Sequence, residues 1–550
     1  MRNDIFDFIE RQPERAFWGF LALHVAFWTL LQIAVHRNPG LDLVEAATFG
    51  QHWQVVYWKH PPLPWLVADI LRSAFGPALW PMRLAAYLNA AVALWAVWRL
   101  SREMLPPVPA LVAVVLLEGV RSFTYGCEEL NHDTISLPFW AVSGWFFWRS
   151  VRDGRSSDWA LTGLWFGLGF YAKYSMALLL LTCCLFLVGE PAARVRMRSR
   201  GPWLAAGVLL VTIAPQIWAL ATSPVGPFAF ARDRAKPMVT AWDRLVQPAD
   251  FLVNQALHLS PLIALVILLG WGLSDRDPAA RPRVDGLASR YVVVIALAPA
   301  ALAVVVAMAA GYGLRWSWGL SFWNFIGLAA IVWLRPPIDR VGLRRLVRAL
   351  PAVVVLSAVP ILTVAAGIGA SGGVPRDEFA GAELARQVAM RWARHSDRPL
   401  RFVVGDVWAA GNVSFHLPER PYVYVDSVQT PWIDPEAVRR DGCVIVWRMG
   451  GKQGEGMPEP YGRMFPDAKP EAPVRLTIKV LAQTDSQSFG VSVIVPRDGG
   501  VAPSSGGDAR ARRPQRRGRP GGLTSRRESG VCADALSSCV AARGLPHLSP

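Results

Sequence analysis

Eleven apolar runs joined by short, arginine-rich loops constrain this chain more than any other feature of it. They fall near residues 16–35, 78–98, 107–121, 134–148, 158–172, 174–189, 202–221, 252–274, 291–311, 316–334 and 349–370. A bilayer core needs roughly 20 apolar residues per helical crossing, and several runs only just reach that length. Hydrocarbon offers no partner for backbone N–H and C=O groups, so each run must satisfy its own as a helix. The first run follows Arg2, Arg11 and Arg15 without a small-residue cleavage site, and reads as a retained span rather than a removed signal.

The loop charges orient these spans. With the N-terminus inside, the even-numbered spans return the chain to Arg99/Arg102, Arg149/Arg152/Arg155, Arg194/Arg196/Arg198/Arg200, Arg276/Arg281/Arg283/Arg290 and Arg335/Arg340/Arg344/Arg345/Arg348. Every inner loop is then basic, as the positive-inside rule requires. An odd number of spans leaves the segment after residue 370 on the outer side.

Composition agrees. A chain of 550 residues that is 53% hydrophobic, with 25 Trp, is too apolar for a string of soluble domains. The net charge of +16 sits mostly in the inner loops and the last forty residues, which argues against nucleic acid as a partner. The six cysteines show neither metal-site spacing nor a disulfide framework.

Past the last span, residues 375–397 predict an amphipathic helix, and β-rich runs follow at 401–408, 421–426, 443–448, 475–483 and 489–496. From residue 498 the Gly-, Pro-, Ser- and Arg-rich sequence cannot bury a core and is expected to be disordered. The expected organisation is a multi-span domain over 1–372 that includes outer loop 36–77, an α/β domain over 373–497, and a basic tail over 498–550.

Polar chemistry concentrates in the outer loops. The first carries Asp42 and Glu45, then Tyr57-Trp58-Lys59-His60-Pro61-Pro62-Leu63. A carboxylate here is suited to act as a general base, and Lys59 and His60 to hold a phosphate. The plainer reading is a solvated interfacial helix from Asp42 to Tyr57 that stops at the prolines. The second loop carries Asn131-His132-Asp133-Thr134, in which an Asp–His pair without a third spaced ligand makes a weak metal site and Asp133 suits a helix cap. Lys173 breaks a long apolar stretch, so it either faces a cavity or snorkels to headgroups. Arg232, Arg234 and Lys236 form a basic cluster on the outer side, against the charge rule, and Arg315 adds another cation flanked by Trp.

Together these segments resemble glycosyltransferase family 39 of the GT-C membrane enzymes, which includes protein O-mannosyltransferases and aminoarabinose transferases. The resemblance covers roughly residues 10–335 and rests on Glu45-Ala46, the Lys59-His60-Pro61-Pro62-Leu63 corner, Asn131-His132-Asp133-Thr134 with Pro138-Phe139-Trp140, and Lys173-Tyr174-Ser175. It implies a GT-C fold of about 11 transmembrane helices with a small extracytoplasmic α/β domain, in the bacterial inner membrane. It further implies transfer of a sugar from a polyprenyl-phosphate donor to an envelope acceptor, whether lipid, glycan or protein. The first-loop carboxylate would activate the acceptor, and the basic residue before the paired prolines, His60 here with Lys59 beside it, would contact the donor phosphate. Many members carry adjacent Asp-Glu where this chain has Val44-Glu45, which leaves the catalytic acid between Glu45 and Asp42; Glu45 occupies the second position of the pair. The set requires no cofactor, and metal dependence stays open. A transporter or lipid flippase is the competing class, for which buried charges would line a path through the membrane.

Overall fold

The computed structural model describes residues 4–223, 226–270, 281–366, 375–450, 454–480 and 483–497. The tail expected to be disordered lies outside the described residues.

Each apolar run contains a helix, but not every one of these helices is long and apolar enough to be counted as a crossing by itself. Six helices are long and apolar enough to cross a membrane: Pro13–Val35, Trp80–Arg102, Gly201–Thr222, Gly286–Ala310, Trp316–Leu334 and Arg340–Ala365. Two bent pairs, Met176–Gly189 with Pro191–Arg198 at 91° and Ala241–His258 with Ser260–Gly270 at 56°, raise the number to at most eight among the described residues. Length and composition by themselves therefore do not confirm eleven crossings. Pro107–Gly119 and Ser156–Ala172 are short, and His132–Asp153 carries His132, Asp133, Arg149, Arg152 and Asp153 among its apolar residues.

Lipid offers no hydrophobic drive for helix association, so close approach must come from small residues. Gly163 and Gly167 on Ser156–Ala172 provide it: a Cβ at Gly163 would lie 2.2 Å from the Ala205 carbonyl oxygen of Gly201–Thr222, and one at Gly167 would lie 2.6 Å from Thr212. Because the Gly163 obstacle is backbone, it cannot swing aside. Gly163→Leu is expected to force the two helices apart at a cost of about 1–3 kcal/mol. A lower thermal midpoint of the detergent-solubilised protein checks this, and an unchanged midpoint contradicts it.

All five expected strands form. They are β1 (Phe402–Gly405), β2 (Tyr422–Tyr424), β3 (Cys443–Arg448), β4 (Val474–Val480) and β5 (Gln483–Ile494), in the order β2-β1-β3-β5-β4. β1 runs parallel to β2 and β3, whereas β5 is antiparallel to β3 and β4. The parallel pairs need crossovers, supplied by the helices Val407–His416 and Pro435–Asp441. β4 alternates, with Val474, Leu476 and Ile478 buried and Arg475, Thr477 and Lys479 exposed, as a sheet with one wet face requires. The expected amphipathic helix runs from Gly381 to His395 and buries Leu384, Ala385, Val388 and Trp392.

This sheet unit shares a core with the first outer loop. Leu43, Ala46, Phe49, Tyr57 and Trp65 of the loop pack in one cluster with Phe379, Val413, Val446 and Phe489. Polar contacts hold the seam. The buried Arg72 guanidinium donates from Nε to the Phe415 carbonyl (2.8 Å) and from Nη2 to that of Leu417 (2.9 Å). Arg420 pairs with Asp69, and both Arg37 and Asn38 donate their backbone N–H to the Asp377 carbonyl at 3.1 and 2.8 Å.

Candidate active site

Glu45 and Asp42 lie on the short helix Leu41–Phe49. A spacing of three residues puts both side chains on one helix face. They differ in environment: the Glu45 side chain is 6% exposed and that of Asp42 is 44% exposed. The second outer loop closes over the start of this helix. The Asp42 backbone N–H donates to Glu129 Oε2 (3.1 Å), and a Cβ at Gly40 would fall 1.4 Å from Glu129 Oε1, so a larger residue there would displace that carboxylate.

The interfacial helix expected to run from Asp42 to Tyr57 stops instead at Phe49, followed by a short 3-10 turn, Gly50–His52. A Cβ at Gly50 would lie 2.2 Å from the Trp65 carbonyl oxygen, and Trp53 adopts a φ of +46°, so the chain turns back here rather than continuing as a helix. Tyr57 fixes the irregular stretch: its hydroxyl donates to the Phe49 carbonyl (3.2 Å) and accepts from the Gln54 N–H (3.0 Å). The paired prolines lead into the next helix, Leu63–Phe75, with Pro62 as its N-cap and Pro64 in its first turn, where backbone N–H groups are unpaired anyway.

This return aims Lys59 at the two carboxylates. Its ammonium lies 2.6 Å from Glu45 Oε2 and 3.7 Å from Asp42 Oδ1, and 5.5 Å from the ring centre of Phe230. Burial pushes the Glu45 carboxyl above its ordinary range, and the attraction of Lys59 only partly offsets this. Burial acts to lower Lys59 as well, but the two facing carboxylates outweigh it and the net shift is upward. The Lys59 ammonium therefore stays charged beside Glu45.

Beyond this pair the first two loops meet. The His60 ring lies against that of His132, tilted by 37° with centroids 3.8 Å apart. Burial, then the charges of His132, Lys59 and Lys173, hold His60 well below the usual histidine range, so near neutral pH it is an uncharged hydrogen-bonding group. Asp133 forms an ion pair with Lys173. It does not cap its helix: the cap is Asn131, whose side chain accepts from the Thr134 N–H (3.1 Å) and donates to Asp42 Oδ2 (3.3 Å).

The basic loop divides. Arg234 is close enough to act electrostatically on Glu45, Lys59 and Arg315. Arg232 is 65% exposed and 3.8 Å from Asp233, and Lys236 is also exposed. The Lys236 carbonyl accepts from the Gly313 N–H (2.8 Å) and Pro237 bridges to Tyr312, which stitches this loop to the one carrying Arg315. Among the described residues no three His, Cys, Asp or Glu side chains are grouped to hold a metal ion.

Sequence reasoning passed over three members of the site. Glu129 shapes the entrance, Tyr57 pins the loop and Phe230 lies over Lys59 and His60. The Glu128-Glu129 pair was visible as an acidic loop and Phe230 as the aromatic start of the basic cluster at Arg232, but neither pattern placed them against Asp42, Lys59 or His60.

The arrangement is a buried carboxylate held against one cation, with further cations and a neutral imidazole beside it, on a multi-span helical frame that carries a small mixed sheet. Residues 59–218 match the dolichyl-phosphate-mannose-protein mannosyltransferase family. Over 466 residues the chain is 25% identical to the lipopolysaccharide core galacturonosyltransferase RgtB of Rhizobium johnstonii, covering 80% of this chain and 89% of that one. RgtA of the same organism is 22% identical over 446 residues, covering 78% and 85%. The fold matches the crystal structure of ArnT from Cupriavidus metallidurans bound to undecaprenyl phosphate, with a TM-score of 0.55 at 13% identity over 87% of this chain and 98% of that one. Over most of its length the chain is similar to membrane glycosyltransferases and it shares the fold of ArnT, and these similarities favour transfer chemistry over the transporter reading.

Proposed function

We propose that the protein transfers a hexose or pentose unit from a polyprenyl-phosphate carrier to an envelope acceptor on the outer face of the bacterial inner membrane. Glu45 is the general base in this reading. The single observation that carries it is the buried Glu45–Lys59 pair, placed beside His60, Lys173, Arg234 and Arg315. Glu45 is preferred to Asp42 because burial raises its affinity for a proton, which suits a group that must accept one from an acceptor hydroxyl.

A departing lipid phosphate needs charge stabilisation more than protonation. Arg234, Arg315 and Lys173 supply fixed positive charge, His60 a neutral N–H, and Lys59 holds Glu45 ionised and oriented. No step requires a cofactor. The ArnT structure binds undecaprenyl phosphate, and the relatives' names make a galacturonosyl donor and a lipopolysaccharide-core acceptor the first pair to try. The basic loops of the other face support the outward orientation, and residues 373–497 then form an extracytoplasmic domain that braces the site. Turnover of labelled polyprenyl-phosphate sugar by the purified protein tests the proposal; no transfer to any envelope fraction would overturn it.

The same environment sets a pH dependence. A base works only when ionised, so kcat/KM falls as pH drops through the Glu45 pKa, and burial places that acidic limb above the ordinary carboxylate range. Lys59→Met removes the nearest stabilising cation and is expected to move the limb still higher. A limb that stays in place in this variant would show that Glu45 does not control it.

A further inference from the structure

Three chain segments on the Glu45 side of the protein meet at a second basic cluster outside the site described above. Arg121 opens the short turn Arg121–Phe123 that follows the third apolar run. His258 ends the helix Ala241–His258 at its 56° bend, and Trp316 begins the 3-10 segment Trp316–Phe325. The Arg121 guanidinium lies 4.3 Å from the Trp316 ring centre and 5.0 Å from that of Tyr125. Its Nη1 lies 3.2 Å from His258 Nε2, and the His258 and Trp316 rings are 5.0 Å apart.

The protonation of the pair follows from chemistry. Arginine only donates, so His258 Nε2 must accept, which makes the imidazole neutral with its proton on Nδ1. Arg121 Nε and His258 Nδ1 are then both N–H donors, and both are buried without a hydrogen-bond partner. Arg121 forms no ion pair among the described residues, although its charge reaches Glu128. Aromatic faces attract a cation but accept no conventional hydrogen bond, so the two donors stay unmatched and no carboxylate contacts the guanidinium among the described residues.

The surroundings indicate where a matching anion comes from. Leu252, Val253 and Leu257, on the same helix as His258, are exposed, as is Trp316. In a membrane protein such a face meets lipid, with Trp at headgroup level. An arginine on this rim reaches a phosphate without that lipid entering the Glu45–Lys59 site.

We propose that Arg121, with His258, Trp316 and Tyr125, binds the phosphate of an anionic lipid headgroup. The flat guanidinium, held between two rings, presents its remaining N–H edge to phosphate oxygens, and His258 supplies a second donor. This assignment does not depend on the transfer reaction.

The test places the purified full chain in phosphatidylcholine nanodiscs containing a minority of phosphatidylglycerol and counts retained lipids by native mass spectrometry. Wild type is expected to enrich phosphatidylglycerol about fivefold or more, as a charge-assisted contact implies. Arg121→Gln should abolish the enrichment and His258→Ala should reduce it. Arg121→Lys keeps the charge and guards against misfolding, and should retain part of it. Arg244→Gln, which removes an exposed charge from the same helix as His258, should leave it intact. A parallel arm adds inorganic phosphate: displacement of phosphatidylglycerol only by molar excess supports a lipid site, and equal competition assigns the same site to free phosphate. Enrichment unchanged in Arg121→Gln, or lost equally in Arg244→Gln, would overturn the proposal.

Discussion

Glu45→Gln is expected to lower sugar transfer by about 10²–10⁴-fold, the range associated with a positioned general base, while the protein still inserts and folds. Gln keeps the size of the side chain and can still accept a hydrogen bond from Lys59, so the loop that Tyr57 pins should persist. What disappears is the group that takes a proton. Asp42→Asn is the informative companion. Asp42 lies farther from Lys59, at 3.7 Å against 2.6 Å, and is the more exposed of the two, so its loss should cost far less. Measuring kcat with labelled donor and an unchanged KM for the donor would assign the effect to the chemical step. If the two variants were equally active, or if Asp42→Asn were the dead one, the base would have to be reassigned.

Gly411→Val is expected to have the second-largest effect, although Gly411 belongs to the sheet unit and touches none of the proposed reacting groups. A Cβ at this position would lie 2.6 Å from Val44 Cγ1 and 2.9 Å from Thr48 Oγ1, on the helix that carries Glu45. Val44 is β-branched and fully buried, so it has little room to rotate away. The substitution must move the helix or part the seam. A displacement near 1 Å at a catalytic group costs about 10²-fold in rate. Activity should therefore fall about a hundredfold, with the protein still eluting as a folded species. Full activity would mean that the sheet unit does not position Glu45.

These effects show which parts of the molecule could be read along the chain. The helical runs were legible because the bilayer acts on each segment separately: a stretch such as 291–311 is apolar enough to declare itself without reference to its neighbours. The five strands were legible for a similar reason, since alternation such as Val474-Arg475-Leu476-Thr477-Ile478 is a local pattern. The bends at Leu259 and Glu190 were not, because they depend on packing rather than on composition. Within the site, Asp42 and Glu45 were placed on one helix face by spacing alone, and the Lys59-His60-Pro61-Pro62 corner marked the segment.

The partners were another matter. Lys59 read as a phosphate ligand, and nothing in the sequence showed that its ammonium also sits on Glu45, fourteen residues away across irregular backbone. Asp133 read as a cap, whereas it pairs with Lys173 in the break after the helix Ser156–Ala172 and Asn131 does the capping. Arg232, Arg234 and Lys236 read as one cluster, yet among them it is Arg234 whose charge reaches Glu45, because the loop is stitched to the segment before Arg315.

By itself, then, the sequence determined the solvent, the helical class, the sidedness expected from charge and the segments in which polar chemistry would be found. All of these depend on hydropathy and charge, which are properties of single residues and short windows. Only the tertiary structure decided which carboxylate is buried, which cation it meets, and that a glycine of the sheet unit bears on the helix beneath it. Those outcomes depend on close contacts between residues far apart in the chain, and no local pattern encodes a contact of 2.6 Å.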